Sequence, residues 1–247
     1  MRRWDGEKKT NHSRQLTLPV SLSHDARFEN YFGEANLKSI ALLQRELKKR
    51  HETLFYIVGQ ADVGKTHFAY ATMQYLEDLG CTACYLAMDE LSKIDTPLSK
   101  PETLFEGLDR YDLLVLDNVD VWLNSVEREL ALFNLFNRFK ISGQQLLVTA
   151  SSVPSRLDLK LADLSSRLKS GLLLTLVALS DDEKEKVLRD FAKQKGLVLA
   201  GDVSAFIIRR GGRTMTALIS VMDILDQASL VEQRRLTVPF VKQVLHW

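Results

Sequence analysis

Apolar residues recur along the chain in two rhythms. From Asn36 to Lys49, the residues Leu37, Ile40, Ala41, Leu43 and Leu47 fall at helical spacing. Leu54-Phe55-Tyr56-Ile57-Val58 is a short unbroken run rich in β-formers, closed by Gly59. Helical spacing returns from Thr66 to Leu79 and stops at Gly80. Thr82–Met88, Leu113–Leu116, Gln145–Thr149 and Leu172–Val177 give four further strands, with helical patterns at Val126–Lys140 and Leu161–Leu168 between the later ones. Strands that are apolar throughout have no solvent face. Alternating with helices, they predict an α/β fold, a parallel five-stranded sheet covered on both sides.

Beyond Leu179 the strand signal stops. Ser180-Asp181-Asp182-Glu183 is a capping-box sequence opening a helix that ends at Gly196. Further helices are predicted over roughly 202–210, 213–230 and 237–246, the middle one with Leu218, Val221, Met222, Leu225 and Ala228 on one face. The first fourteen residues hold five basic and two acidic side chains and no apolar period. The layout is a flexible tail over 1–22, an α/β domain over 23–178 and a small all-helical lid domain over 179–247.

Length and charge narrow the function. The 247 residues carry a net charge of +1, which excludes a broad polyanion-binding surface. No apolar stretch approaches the ~18 residues that span a bilayer, and the basic start Met1–Gly6 has no apolar segment behind it, so a cytoplasmic protein without membrane contact is expected. Two cysteines make no disulfide framework. Cys81-Thr82-Ala83-Cys84 enters a strand, where its thiols point to opposite faces, so redox chemistry is not expected. The five histidines have no ligand spacing, and Ser23-His24-Asp25 is too close in sequence to form a triad.

The chemistry lies elsewhere. Gly59-Gln60-Ala61-Asp62-Val63-Gly64-Lys65-Thr66, followed by His67, fits G-x-x-x-x-G-K-[ST] at every position, with a strand before it and a helix after it. The glycines let backbone N–H groups turn inward around phosphate oxygens, Lys65 brings a charge to the outer phosphates, and the Thr66 hydroxyl suits Mg²⁺. The following helix directs its positive end at the anion. Its usual partner is an acid ending a neighbouring strand, and Asp117 at the end of Asp112-Leu113-Leu114-Val115-Leu116 fills that place as the second Mg²⁺ residue. A self-sufficient hydrolase also needs a carboxylate to orient the attacking water. Asn118 cannot take a proton and Asp120, two residues on, is a poor substitute by position, so slow hydrolysis at best is expected.

With the helical appendage, these residues resemble the AAA+ family, and more narrowly its DnaA-type branch. The resemblance runs from about Gln15 to the C-terminus, through Gln15-Leu16-Thr17-Leu18-Pro19-Val20, Phe28-Glu29-Asn30-Tyr31-Phe32, the phosphate loop, Leu116-Asp117-Asn118, Asp163-Leu164-Ser165-Ser166-Arg167-Leu168, Gly212-Arg213 and Leu236–Lys242. It implies a regulator that binds ADP or ATP with Mg²⁺, docks on the DNA polymerase sliding clamp (the β subunit), meets DNA through that clamp, and makes the initiator DnaA hydrolyse its ATP. Such a protein works in the cytoplasm at the replisome.

The resemblance also implies roles for single residues. Gln15, Leu16, Leu18, Pro19 and Val20 correspond to a clamp-binding peptide, with Val20 shorter than the usual residue. On the residues alone, an edge strand or a hydrophobic staple reads equally well. Arg167 corresponds to an arginine finger acting in trans on a neighbour's γ-phosphate, against a plain surface pairing with Asp163. Arg213 corresponds to a sensor reaching over the phosphates. Phe28 and Tyr31 fall in the segment that encloses the base, although a core anchor looks the same. Thr149 and Ser151 occupy the first sensor region, where relatives carry a longer polar side chain. An autonomous ATPase acting as a DNA remodeller or helicase loader is the alternative; it wants a catalytic acid at Asn118 and more positive charge. A DNA-binding initiator wants a further helix-turn-helix module after Trp247. The sequence leaves monomer and homodimer both open.

Overall fold

The computed structural model describes residues 26–93, 101–212 and 214–247. Five parallel strands form one sheet: β1 (Leu54–Val58), β2 (Ala83–Ala87), β3 (Leu113–Asp117), β4 (Gln145–Ala150) and β5 (Leu172–Thr175). Their order across the sheet is β2-β3-β4-β1-β5. Register is set by pairs such as Ala87 with Asp117, Leu116 with Val148 and Val58 with Ala150. These pairs place the carboxyl ends of the inner strands side by side, where open α/β sheets receive ligands.

The unbroken apolar runs follow from two cores, one on each face. Leu54, Tyr56, Val58, Leu114, Leu116, Leu146 and Val148 point one way, against α4 (Val119–Trp122), α5 (Val126–Ser142) and α6 (Ala162–Ser170). Phe55, Ile57, Tyr85, Leu113, Val115 and Leu147 point the other way, against α1 (Glu34–Lys49) and α2 (Lys65–Asp78). Cys84 packs on the first core and Cys81 on the second, and both thiols are free, as the alternation of a strand requires.

The remaining helices, α7 (Asp181–Gln194), α8 (Gly201–Arg210), α9 (Met215–Glu232) and α10 (Val238–Leu245), close around a third core of Leu188, Ile207, Leu218, Met222, Leu225 and Phe240. The capping box forms as read: the Ser180 hydroxyl accepts the Glu183 N–H at 3.3 Å, and the Glu183 carboxylate accepts the Ser180 N–H at 2.8 Å. Among the described residues no helix is long and apolar enough to cross a membrane, and no three or more His, Cys, Asp or Glu side chains gather as a metal-ligand group.

Some elements differ from the sequence reading. Met88 opens a helix, α3 (Met88–Lys93), instead of ending a strand. That helix, α4 and the 3-10 turns at Pro101–Phe105 and Pro154–Arg156 are too short to show a period. The helix expected from 213 begins at Met215, because the Thr214 hydroxyl accepts the Ala217 N–H at 3.2 Å and fixes the cap there.

The segment joining sheet to lid is tied down by one buried amide. Asn36 of α1 accepts the Val177 N–H at 2.9 Å and donates to the Val177 and Phe32 carbonyls at 3.1 and 3.2 Å. The side chain imitates a neighbouring strand at the point where β5 ends. We expect Asn36→Ala to cost about 2 kcal/mol by leaving these backbone groups without partners. Urea unfolding of the two proteins checks this, and coincident midpoints would refute the tether.

Candidate functional site

The loop between β1 and α2 wraps a concave backbone, and two glycines make it possible. A Cβ on Gly59 would lie 2.5 Å from Val63 Cγ2 and 2.9 Å from the Leu176 carbonyl. Gly64 has φ +96°, and Asp62 is also left-handed at φ 61°. This backbone suits a loop whose N–H groups face an anion ahead of the first turn of α2. Lys65 is 7% exposed. Its ammonium donates to the carbonyls of Gly59 and Gln60 at 2.9 and 2.8 Å. Burial lowers its pKa, and the charges of Asp120, Asp117 and Asp62 oppose that shift.

Behind the loop lies Asp117, at the end of β3 and 1% exposed. Three hydroxyls donate to its carboxylate. Thr66 Oγ1 and Tyr85 Oη reach Oδ2 at 2.6 and 2.8 Å, and Thr149 Oγ1 reaches Oδ1. Strand alternation explains the convergence: Tyr85, Asp117 and Thr149 share the sheet face that α2 covers. Burial first, then the charge of Asp117, pushes the Tyr85 pKa far up, so the phenol stays a donor. Because Thr66 gives its hydrogen to Asp117, its oxygen lone pairs face outward. A hydroxyl oxygen backed by a carboxylate is the kind of oxygen donor set that a small, hard cation such as Mg²⁺ takes. The site residues therefore fit that ion.

Asn118 is left-handed at φ 58° and donates its backbone N–H to Thr149 Oγ1 at 2.9 Å. Of the two residues expected in the first sensor region, Thr149 touches the acid directly. Ser151 instead gives its backbone N–H to Asp120 Oδ2 at 2.9 Å. Asp120 is thus drawn to the end of β4, nearer the loop than its place in the sequence suggests.

The other candidates lie around this centre. The Tyr31 hydroxyl donates to the Gly64 carbonyl at 2.5 Å, and burial pushes its pKa far up. Its ring sits 5.0 Å from that of His67, whose pKa burial lowers. Phe28 packs against Phe68 and Tyr75 in the core behind the loop. Arg167 stands apart on α6, where its guanidinium lies over the Phe136 ring at 5.7 Å and, among the described residues, makes no ion pair with Asp163 or any other acid. Glu129 of α5, 2% exposed, accepts the backbone N–H groups of Lys160 and Leu161 at 3.2 and 2.7 Å, just before α6 begins. One helix thus holds the start of α6 through Glu129 and faces the guanidinium of Arg167 through Phe136. Arg213 and the segment Gln15–Val20 lie outside the described residues.

Sequence reasoning did not find Tyr85, Glu129 or the placement of Asp120. The signal for Tyr85 is its diagonal relation to Asp117 on the adjacent strand, which appears only once strand order is known. Thr149→Val keeps the shape of the side chain but removes the donor to Asp117 and the acceptor for Asn118. We expect a loss of about 2 kcal/mol in thermal or urea unfolding; a neutral result would make the Thr149 contacts incidental.

Comparison with known proteins accords with this geometry. The family description "Bacterial DnaA ATPase domain" matches residues 22–175, and "Hda, lid domain" matches residues 181–245. An uncharacterized protein of Haemophilus influenzae is 38% identical over 240 residues, 95% of this chain and 99% of its own. Domain III of the replication initiation protein DnaA from Thermotoga maritima superposes with a TM-score of 0.75 at 18% identity, covering 90% of this chain and 96% of that one. DnaA from Aquifex aeolicus with bound AMPPCP gives a TM-score of 0.69 at 20% identity, covering 83% of this chain and 66% of that one. Against such longer initiator chains this one spans about two thirds of their length. The chain belongs to the bacterial DnaA ATPase-domain family of AAA+ folds and carries a lid domain of the Hda type.

Proposed function

We propose that this protein is a nucleotide-bound regulator of DNA replication initiation, which docks on the sliding clamp and promotes hydrolysis of ATP held by DnaA. The observation that carries the reading is the pair formed by Arg167 and Asn118. Among the described residues Arg167 pairs with no acid and sits on a braced helix, and at its own phosphate site the chain has an amide where a hydrolase wants a carboxylate. A chain so built is suited to supplying charge to another subunit's phosphates.

In this reading the loop Gly59–Thr66 holds the β-phosphate of ADP, or the outer phosphates of ATP, on its N–H groups and Lys65. Thr66 and Asp117 hold Mg²⁺, which neutralises phosphate charge. His67 and Tyr31 stand at the nucleoside side of the loop, and Arg213 is assigned the role of the lid's phosphate sensor. Gln15, Leu16, Leu18, Pro19 and Val20 are assigned the role of the clamp-binding peptide, with apolar side chains for a clamp pocket. Arg167 enters the DnaA site in trans, where such a guanidinium contributes on the order of 10³–10⁵ in rate. The AMPPCP carried by the DnaA relative supports the nucleotide assignment, and the Hda-type lid supports the regulatory one.

The deciding measurement is ATP turnover by DnaA, with and without this protein and DNA-loaded clamp, beside this protein alone. Stimulation that needs both additions is expected. Strong turnover by the protein alone, with no effect on DnaA, would favour an autonomous motor. Arg167→Ala is expected to keep ADP and clamp binding while losing at least about 10²-fold of the stimulation; equal loss of ADP binding would make Arg167 structural. Joint replacement of Gln15 and Leu18 by Ala is expected to abolish clamp capture in a surface-binding assay with the melting temperature unchanged, and unaltered clamp affinity would remove that assignment.

A further inference from the structure

Among the described residues, the side-chain nitrogen and oxygen atoms buried without a hydrogen-bond partner reduce to a single atom, Asp120 Oδ1. Its companion Oδ2 is fixed by the Ser151 N–H at 2.9 Å, so the carboxylate cannot rotate to exchange the two oxygens without losing that bond. A buried carboxylate oxygen with no donor is unfavourable, and it is relieved by whatever brings an O–H or N–H to it.

The surroundings say where that oxygen lies. The Tyr56 hydroxyl, which could have supplied a donor, is turned to the Ser152 carbonyl at 2.8 Å. The Gly59 N–H, at the start of the phosphate loop, donates to the Ala150 carbonyl at 3.2 Å, so Ser151, which holds Asp120, directly follows the residue on which that loop rests. Lys65 is the residue that follows the outermost phosphates. Of the other acids, Asp62 is exposed on the loop, and hydroxyls of Thr66, Tyr85 and Thr149 occupy both oxygens of Asp117. Asn118 offers an amide and no base. The fixed, donor-free oxygen of the site is on Asp120.

We propose that Asp120 is the catalytic residue of a slow ATP hydrolysis carried out by this chain alone, its Oδ1 accepting a hydrogen bond from the attacking water. The water oxygen bonds to the γ-phosphorus. The bond from that phosphorus to the β,γ-bridging oxygen breaks, and its electron pair stays on ADP. The proton released by the water passes to Oδ1 and from there to the departing phosphate. The chain thereby converts bound ATP into its own ADP form. This inference rests on the nucleotide-binding part of the proposed function and is independent of the clamp and of DnaA.

The test is single-turnover hydrolysis of γ-labelled ATP by the full chain with Mg²⁺, rates being taken per bound nucleotide so that altered affinity does not enter. The wild type is compared with Asp120→Asn, which is isosteric and keeps the acceptor for Ser151. Hydrolysis by Asp120→Asn is expected to fall about 10²-fold, with ADP and AMPPCP affinities within about threefold of wild type. Equal rates in the two proteins would overturn the proposal. So would bound ATP that stays intact in the wild type, or AMPPCP binding that tightens in the variant while ADP binding does not, which would make the carboxylate a repellent for the γ-phosphate. Failure of the wild type to bind ATP at all would instead overturn the nucleotide-binding reading itself.

Discussion

The buried carboxylate of Asp117 holds the phosphate side of this molecule together. It lies at the end of β3 with 1% of its surface exposed, and a charge so placed persists only if its oxygens are supplied with donors. Three hydroxyls meet that demand, from three different elements: Thr66 at the start of α2, Tyr85 on β2 and Thr149 on β4. The strand order makes this economical, because β3 lies between β2 and β4 and each neighbour needs only one inward side chain. The position of the first turn of α2, and so of the loop before it, is referred to the sheet through this one acid.

That arrangement separates two tasks on the two faces of the sheet. On the face covered by α1 and α2, Tyr85, Asp117 and Thr149 lie behind the loop proposed to take phosphate and cation. On the face covered by α4, α5 and α6, Tyr56 reaches the Ser152 carbonyl, and Glu129 and Phe136 of α5 brace the helix that carries Arg167. The loop lysine and Arg167 thus belong to different layers, each positioned by its own buried acid: Asp117 for the loop and Glu129 for α6. Glu129 is fully paired by backbone N–H groups, so its negative charge also favours the amino end of the helix that follows.

Much of this was legible from the chain alone, and the reasons are local. A sheet buried on both faces forces continuous apolar strands, so β1, β3 and β4 announce themselves. The capping box at Ser180 and the phosphate loop are defined by contiguous residues, and both form as read. What stayed hidden depends on contacts between distant residues. Tyr85 and Asp117 are 32 positions apart, Glu129 and Leu161 are also 32 apart, and Asn36 and Val177 are 141 apart. Periodicity carries no information about such pairs. Short elements escaped for a related reason: α4 has four residues, barely more than one turn, too few for a repeat to show.

The choice of Asn at 118 and the placement of Asp120 are two consequences of one backbone turn. Residue 118 sits at φ 58°, a conformation that asparagine tolerates better than most residues with a side chain, and its N–H is spent on Thr149. Leaving β3 through that conformation starts α4 at once, and two residues into the turn the chain delivers Asp120 to the Ser151 N–H at the end of β4. A longer acid at 118 would have to accept the same left-handed backbone beside the committed carboxylate of Asp117, where two negative charges repel. With the amide at 118, the second carboxylate of this region is that of Asp120, held by the Ser151 N–H where β4 ends, beside the strand that feeds the loop. Acidic character therefore stays at this end of the sheet, carried by Asp120 and not by residue 118.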